Sequence, residues 1–321
     1  MQTTQQTGGQ QKNMTRNRRQ FFERPEMPRP MRITARDIAL LRNIARFRLV
    51  STADLALLDG GSAQNVSRSL LALWENGYVE RPEAQVTSRM LYEGSRPTIY
   101  GLSRKGAHLL RSGGLEVPRR LLDGIDKERG AGWRFVQHTV EVASFLIALV
   151  VAVRKRSDLR LLSQGELLGN RGKKLPRQVK LEVCIRLDGV LTRNAVVPDA
   201  LFGLQYDDGT ESYFMLEIDR GEMPVERYRD ITRTYFSKKL NTYWEAYRRR
   251  CHVTELGLES FRVLTVTTTR ERVERMIAAV GRMTQGRGSN VFLFADQQML
   301  SAAGSPLAVQ WISGKGESVE L

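Results

Sequence analysis

Two strand-like runs on either side of an Asp-Gly turn constrain the fold of this chain most strongly. The runs are 196–202 and 213–219, and the turn between them is Asp207-Asp208-Gly209-Thr210. Asp-Gly between two such runs is a strong signal for a β-hairpin. The predicted pairing brings Asp199 and Glu217 together at one end of a sheet. Because two close carboxylates repel each other, the fold has to place a cation, a proton or water beside them.

The charge of the chain favours a polyanionic partner. The 321 residues carry a formal net charge of +15, and the pI is near 10.2. Such basicity is typical of proteins that bind nucleic acid, with an anionic membrane surface as the alternative. The length predicts two domains, and an apolar fraction of 41% is sufficient for packed cores.

The sequence does not predict secretion, a membrane span or a zinc site. The N-terminus lacks an apolar leader segment. The best apolar run, 142–153, falls short of the roughly 20 residues that cross a bilayer. Cys184 and Cys251 are too few and too far apart for a disulfide framework, and Cys251-His252 lacks further ligands at zinc spacing. We therefore expect a cytoplasmic protein without membrane contact.

Residues 31–112 follow the order of elements in a winged helix-turn-helix. The pattern Thr34-Ala-Arg-Asp37 predicts a capping box that opens the first helix. The predicted elements are, in order, helices that begin after Thr34, after Ser51 or Thr52, and after Ser62, a hairpin of 78–81 with 97–102, and a closing helix at 104–110.

The third of these helices is the expected DNA-reading element. In a helix-turn-helix, residues near the N-terminus of this helix face base edges in the major groove. Gln and Asn side chains bond adenine, and Arg bonds guanine. The candidates on the helix are Gln64, Asn65, Ser67 and Arg68. The wing carries Arg81, Arg89 and Arg96, which are suited to phosphate or minor-groove contact. Some winged helices bind only protein, and this is the alternative.

The remaining sequence predicts an α/β domain, so that the whole chain is α+β. The expected domains are a disordered basic arm at 1–30, the winged helix at 31–112, a linker at 113–134, the second domain at 135–300 and a C-terminal tail at 301–321. Within the second domain we predict helices at 135–155, 225–249 and 271–283, and strands at 159–168, 179–187, 196–204, 213–219, 261–267 and 290–294. This order indicates one mixed sheet flanked by helices.

The second domain resembles the restriction-endonuclease-like PD-(D/E)XK fold. Pro198-Asp199 matches its first motif, and Glu217 matches the acid of its second motif. The resemblance implies that both acids bind Mg²⁺ and that a lysine orients the attacking water. Asp219 stands where that family has the lysine, so the resemblance leaves Lys238 or Lys239, on the following helix, as a migrated lysine. Upstream acids of such nucleases are matched by Glu141 and Glu166.

The chain as a whole resembles the replication-relaxation family of plasmid and mobile-element proteins. The stretches that carry the resemblance are the winged helix from Ile33, the wing sequence 94–100, Pro198-Asp199-Ala200, the segment 217–224 and the helix segment 238–243. The resemblance implies a bacterial protein that binds DNA in plasmid replication or mobilisation, with a relaxase or replication protein as a potential partner. A homodimer is a further expectation.

Three hypotheses follow for the function. The first is an accessory double-stranded-DNA-binding protein in which the winged helix recognises a site and the nuclease-like domain clamps or processes DNA. The second is a Mg²⁺-dependent endonuclease that uses Asp199, Glu217 and a migrated lysine. The third is a transcriptional regulator whose second domain serves protein contact. For the acidic cluster itself, a structural set of ion pairs with Arg227 or Lys239 is the alternative to a metal site.

Overall fold

The computed structural model describes residues 22–85, 97–115, 117, 119–169, 179–187, 189–226 and 235–321. The chain divides into two compact units, Met1–Ile147 and Ala148–Leu321. Each unit has its own α and β elements.

The first unit contains the helices and strands expected of a winged helix. Its helices are α1 (Ala35–Phe47), α2 (Thr52–Asp59), α3 (Ala63–Glu75), α4 (Arg104–Ser112) and α5 (Arg119–Arg129), and its strands are β1 (Leu49–Ser51), β2 (Val79–Glu80) and β3 (Ile99–Leu102). The strands form an antiparallel sheet in the order β1-β3-β2. This order of elements is consistent with a winged helix, as the sequence predicts.

Local capping explains where the helices of this unit begin. Thr34 accepts a hydrogen bond from the backbone of Asp37, whose carboxylate accepts one from Thr34 N at 2.9 Å, so the predicted capping box is present. Ser51, and not Thr52, is the cap of α2. Ser62 stands at the cap position of α3, but its side chain makes no capping hydrogen bond.

Two segments outside the predicted winged helix are ordered against it. Arg24, in the predicted arm, donates to the carbonyl of Trp74 at 2.7 Å and forms an ion pair with Glu80. Helix α5 lies inside the predicted linker, and its Leu121 and Ile125 side chains are buried. The ordered protein around the winged helix therefore begins before residue 31 and continues beyond residue 112.

The second unit is built on a seven-stranded mixed sheet. Its strands are β4 (Leu159–Ser163), β7 (Ala200–Tyr206), β8 (Glu211–Ile218), β9 (Arg262–Thr267), β10 (Phe292–Asp296), β11 (Trp311–Ser313) and β12 (Ser318–Val319), in the spatial order β12-β11-β10-β9-β8-β7-β4. The pairs β8–β9 and β9–β10 are parallel, and the other pairs are antiparallel. A separate two-stranded ribbon is formed by β5 (Leu181–Leu187) and β6 (Val190–Val196).

Helices pack against this sheet through a large apolar core. They are α7 (Gln164–Gly169), α8 (Phe236–Arg248), α9 (Arg270–Met283) and α10 (Gln297–Ala303). Leu240 and Tyr243 of α8 and Met276 of α9 are buried in one cluster with Met215 of β8 and Val263 of β9. The core thus places α8 and α9 beside the strand that carries Glu217.

Three predicted elements of the second unit differ from the structure. The run 159–168 is a strand only to Ser163, because Ser163 and Glu166 cap the start of α7. The run 196–204 is divided between β6 and β7 at Pro198, which has no N–H for a sheet hydrogen bond. The helix predicted at 225–249 begins only at Phe236 because Tyr235 is extended, with φ −135°; residues 227–234 lie outside the described residues.

The predicted C-terminal tail is part of the sheet. Residues 301–321 contribute β11 and β12, and Trp311 is fully buried. Such short strands carry little periodic signal, so the hydrophobic pattern of residues 301–321 does not predict them.

Helix α6 (Trp133–Val153) is longer than the apolar run 142–153. Its 21 residues make it the one described helix that is long and apolar enough to cross a membrane. The side chains of Val136, Ile147 and Leu149 are fully buried in the protein. A helix that is apolar nearly all round belongs either to a protein core or to a membrane, and 44% of the most apolar part of α6 is buried within the protein.

Candidate functional site

The hairpin β7–β8 places Asp199 directly beside Glu217. Ala200 pairs with Leu216 in the antiparallel register, so the preceding residue lies opposite Glu217. Asp199 N donates to the carbonyl of Leu216 at 2.9 Å, and its carboxylate accepts from the backbone N of Ile218 at 2.8 Å. The predicted juxtaposition of the two acids at the strand end is confirmed.

Helix α8 supplies both partners of the Glu217 carboxylate. Glu217 is two residues after the core residue Met215 and faces the same side of the sheet, where it is only 1% exposed. Lys239 and Tyr243 are four residues apart and therefore neighbours on one helix face. Lys239 Nζ donates to Oε2 of Glu217, and the Tyr243 hydroxyl donates to Oε1 at 2.5 Å.

The environment of this cluster shifts the proton affinity of each group. Burial raises the pKa of Glu217 to about 7; the ion pair with Lys239 opposes the rise, and repulsion from Asp199 adds to it. Burial lowers the pKa of Lys239, but attraction to Glu217 and Asp199 outweighs this, and the pKa lies above its usual value. Burial and the Glu217 carboxylate raise the pKa of Tyr243 well above its usual range. Lys239 is thus a cation held against an acid that ionises near neutral pH.

Asp219 has a separate set of partners from α9. Its carboxylate receives a bidentate pair of hydrogen bonds from Arg272, at 2.5 and 2.9 Å, and a third from the Thr267 hydroxyl at 2.6 Å. Asp219 is 8% exposed, so this is a nearly buried ion pair. Asp219, which stands where the PD-(D/E)XK resemblance expects a lysine, therefore stabilises the strand end by pairing with Arg272.

Arg272 and Tyr243 are site residues that the sequence analysis does not identify. Arg272 also donates to the carbonyl of Met223 at 2.5 Å, which ties the segment after Asp219 to α9. Arg220 turns to Glu222 instead, at 3.1 Å. Arg272 lies 53 residues from Asp219, so no local spacing indicates the pairing. Tyr243 follows Lys239 at helical spacing, and this signal could have indicated it.

The other acids and the second lysine named from the sequence lie elsewhere. Glu141 belongs to α6 in the first unit and accepts a hydrogen bond from Gln137 at 2.9 Å. Glu166 caps α7 through Ser163. Lys238 is next to Lys239 on α8, but it is Lys239 that forms the ion pair with Glu217. Of the two candidate lysines, Lys239 is the one at the acids.

The candidate DNA-reading residues occupy the exposed side of α3. Gln64, Asn65, Ser67 and Arg68 are exposed, whereas Val66 and Leu70 on the opposite side are fully buried. The Ser67 hydroxyl donates to the carbonyl of Ala63 in its own helix. The side chains near the N-terminus of α3 are therefore available to a partner.

Of the three wing arginines, Arg81 is among the described residues, and it is buried. Arg81 is only 9% exposed, donates to the Tyr100 hydroxyl and lies 3.8 Å from the centre of the Trp74 ring. It packs between aromatic rings, so the interpretation of Arg81 as a phosphate ligand is wrong. Arg89 and Arg96 lie outside the described residues.

The acidic cluster offers a limited donor set for Mg²⁺. Mg²⁺ in proteins is usually held by one or two carboxylates together with water, and Asp199 and Glu217 fit this minimum. Both oxygens of Glu217 already accept hydrogen bonds, from Lys239 and Tyr243. Over the described ranges there is no group of three or more His, Cys, Asp and Glu side chains placed to hold a metal. A cation at Glu217 would have to share the carboxylate with Lys239.

Comparison with known proteins identifies one family. The family model described as replication-relaxation matches residues 41–277, from α1 to α9. The chain belongs to the replication-relaxation family. Membership indicates a role in the replication or relaxation of a plasmid or mobile element. The matched region of this replication-relaxation protein contains α3 and every residue of the Asp199–Glu217–Lys239 cluster. No curated protein and no solved structure is detectably similar to the chain.

Proposed function

We propose that this replication-relaxation protein binds double-stranded DNA, with α3 in the major groove, as a cytoplasmic accessory factor of plasmid or mobile-element replication or mobilisation. The observation that carries the proposal is the exposed set Gln64, Asn65, Ser67 and Arg68 near the N-terminus of α3. These side chains match the hydrogen-bonding edges of adenine and guanine. The net charge of +15 supplies the attraction to a polyanion.

The test is base discrimination by Arg68. A preferred site is first selected from a random duplex library with the wild-type protein. Arg68→Ala should then lose about 1–3 kcal/mol of discrimination at one base pair and bind unrelated duplexes nearly as before. Arg42, also exposed but on α1, provides the matched control, because Arg42→Ala removes the same charge from another helix. Equal discrimination by Arg68→Ala and the wild type would show that α3 does not contact bases.

A second candidate, a metal-dependent endonuclease, is favoured by the ion pair between Lys239 and Glu217. The PD-(D/E)XK resemblance requires a lysine near two acids, and Lys239 from α8 lies against Glu217 while Asp199 is its cross-strand neighbour. In this candidate Asp199 and Glu217 would hold Mg²⁺, which supplies a Lewis acid for phosphodiester hydrolysis. The ammonium of Lys239, held in place by Glu217, would orient the attacking water.

The endonuclease candidate is tested with supercoiled plasmid in Mg²⁺ or Mn²⁺. Nicking by the wild type should disappear in Asp199→Ala, Glu217→Ala and Lys239→Met. Lys238→Ala is the matched control, because Lys238 neighbours Lys239 on α8 but is not the ion-pair partner of Glu217. Nicking that Asp199→Ala and Glu217→Ala abolish would replace the accessory assignment with a catalytic one. If supercoiled, linear and single-stranded substrates all stay intact, the accessory assignment stands.

A further inference from the structure

The second unit has a cavity that the proposed function does not use. It measures about 510 Å³ and lies between the β5–β6 ribbon and the C-terminal end of α8. We call it the ribbon cavity, and its lining residues are Lys180, Glu182, Val183, Cys184, Arg193, Arg249, Cys251 and Glu255.

Strand alternation makes the cavity wall polar. Leu181 and Ile185 of β5 are fully buried in the apolar core of the unit. Neighbouring positions of a strand point to opposite faces, so Cys184 lies on the outer face of the ribbon. Arg193 pairs directly with Cys184 across the ribbon. The outer face therefore carries Glu182, Cys184 and Arg193, whereas Val183, which also lines the cavity, belongs to the core face.

Cations outnumber carboxylates in the lining, where Lys180, Arg193 and Arg249 accompany the two acids Glu182 and Glu255. On the ribbon, Glu182 is shared by Lys180 and Arg193. At the end of α8, Glu245 is shared by Arg248 and Arg249, at 2.8 and 3.5 Å. Because each of these carboxylates is divided between two cations, each pairing leaves one positive charge over.

The cations are also closer to the solvent than the acids. The side chain of Arg193 is 79% exposed, against 31% for Glu182. The side chain of Arg249 is 52% exposed, against 19% for its partner Glu245. An approaching ligand therefore meets guanidinium groups first. Guanidinium groups pair with phosphate through two parallel hydrogen bonds.

We propose that the ribbon cavity binds phosphate groups of the DNA backbone and gives the second unit a sequence-independent contact with DNA. This inference rests on the proposed function, because it assumes that the protein binds duplex DNA. The ligand chemistry follows from the lining, in which two arginines and a lysine are more exposed than the carboxylates they share. Such a site adds affinity that depends on salt and not on base sequence.

The first experiment measures the salt dependence of binding to a duplex of unrelated sequence. The slope of log K against log salt is negative, and each lost phosphate contact reduces its magnitude by about 0.9. Arg193→Ala with Arg249→Ala should therefore reduce the magnitude of the slope by about 1.8. The matched control replaces Arg270 and Arg275 of α9 with alanine, since their side chains are 58% and 66% exposed and are likewise paired with carboxylates. The control should leave the slope close to that of the wild type.

The second experiment uses the wild-type protein and its own cysteines. Cys184 and Cys251 are the two cysteines of the chain, and both line the cavity. Duplex DNA should slow alkylation of both thiols by a maleimide several-fold, and inorganic phosphate at equal phosphate concentration should protect them less. The Arg68→Ala protein should show the same protection by unrelated duplex, because the cavity does not depend on α3.

The outcomes separate this inference from the proposed function. The cavity assignment alone is overturned if site preference requires Arg68 but duplex DNA does not protect the thiols and the arginine variants keep the wild-type salt slope. Failure to bind any duplex overturns both. Protection by inorganic phosphate but not by duplex also overturns the backbone assignment, because the cavity would then be a small-anion site.

Discussion

Glu217 and Asp219 stand two residues apart at one strand end, and each is paired with a different helix. Glu217 pairs with Lys239 and Tyr243 of α8, whereas Asp219 pairs with Arg272 of α9. The charge of Asp219 is therefore already compensated within the fold. Glu217 also has a cation, Lys239, but it is more deeply buried and lies beside a second acid, Asp199, and its pKa is raised.

The first prediction concerns the Asp219–Arg272 pair. Arg272→Met should lower the free energy of unfolding by about 3–5 kcal/mol, because it leaves a nearly buried carboxylate without its cation. The measurement is urea denaturation at neutral pH. Arg275→Ala, which breaks an exposed pair on the same helix, should cost less than about 1 kcal/mol. Equal losses in the two variants would contradict a structural role for Arg272.

The second prediction concerns the pH dependence that Glu217 contributes. Its pKa is about 7 in the folded protein, against an ordinary value of 4.5. Below the lower value both states carry the proton; above it the unfolded state releases the proton first. The free energy of unfolding therefore falls as the pH rises from the lower value to the upper one, by about 3–4 kcal/mol at about 1.4 kcal/mol per pKa unit.

Glu217→Gln isolates this contribution. Urea denaturation of the wild type and the variant across pH 4.5 to 7 should show the wild type losing stability relative to the variant, with no further change just above this window. Lys239 titrates above its ordinary pKa of 10.5 and does not enter the window. His252, whose pKa burial lowers, acts in the opposite direction but is present in both proteins. A difference that does not vary with pH would contradict the raised pKa.

At the scale of elements, the β7–β8 turn sets the register that creates the site. Gly209 has φ +80°, and Tyr206 N donates to the carbonyl of Thr210 across the turn. A left-handed backbone conformation costs a residue with a Cβ about 1–2 kcal/mol. The turn therefore favours the pairing in which Asp199 lies opposite Glu217.

The third prediction tests this turn. Gly209→Ala should lower the free energy of unfolding by about 1 kcal/mol through backbone strain alone, since a Cβ there meets no atom within 4 Å. Gly209→Asn should lose less, because asparagine tolerates this conformation better. Gly281→Ala in α9 is the matched control and should stabilise the protein by about 0.5–1 kcal/mol, since its Cβ is also unobstructed and its helix favours alanine. Thermal denaturation followed by circular dichroism measures all three, and a stabilising Gly209→Ala would contradict the argument.

Elements with a strong local signal are predictable from the sequence, and others are not. The capping box at Thr34 and the Asp-Gly hairpin are confirmed, because each depends on a few adjacent residues. The start of α7 carries the same kind of signal in Ser163 and Glu166, and the apolar run that contains them hides it. Strands β11 and β12 have too few residues for a periodic pattern, and their place in the sheet depends on pairing with β10.

At the scale of the whole molecule, the net charge of +15 affects stability and the proposed DNA binding in opposite directions. Like charges repel one another in the folded protein, and dissolved salt screens this repulsion. The same salt competes with the protein for the phosphates of DNA. Both effects arise from the net positive charge, and both change with the salt concentration.

The fourth prediction follows from this opposition. Raising KCl from low to moderate concentration should raise the melting temperature while duplex affinity falls along a straight line of log K against log salt. Differential scanning fluorimetry and fluorescence anisotropy on the same samples provide the two measurements. Sucrose at equal osmolality is the control and should leave the affinity unchanged. A melting temperature that falls with added KCl would show that attractive ion pairs outweigh the repulsion.

The sequence by itself determined the features that depend on neighbouring residues: the α3 segment with Gln64 to Arg68, the hairpin that joins Asp199 to Glu217, and the basic charge of the chain. Only the tertiary structure decided which partners those residues have. It selected Lys239 from two adjacent lysines, paired Asp219 with Arg272 across 53 positions and buried Arg81 between aromatic rings. The reason is physical: spacing along a strand or helix specifies a face, whereas a salt bridge between distant segments depends on how the core packs those faces together.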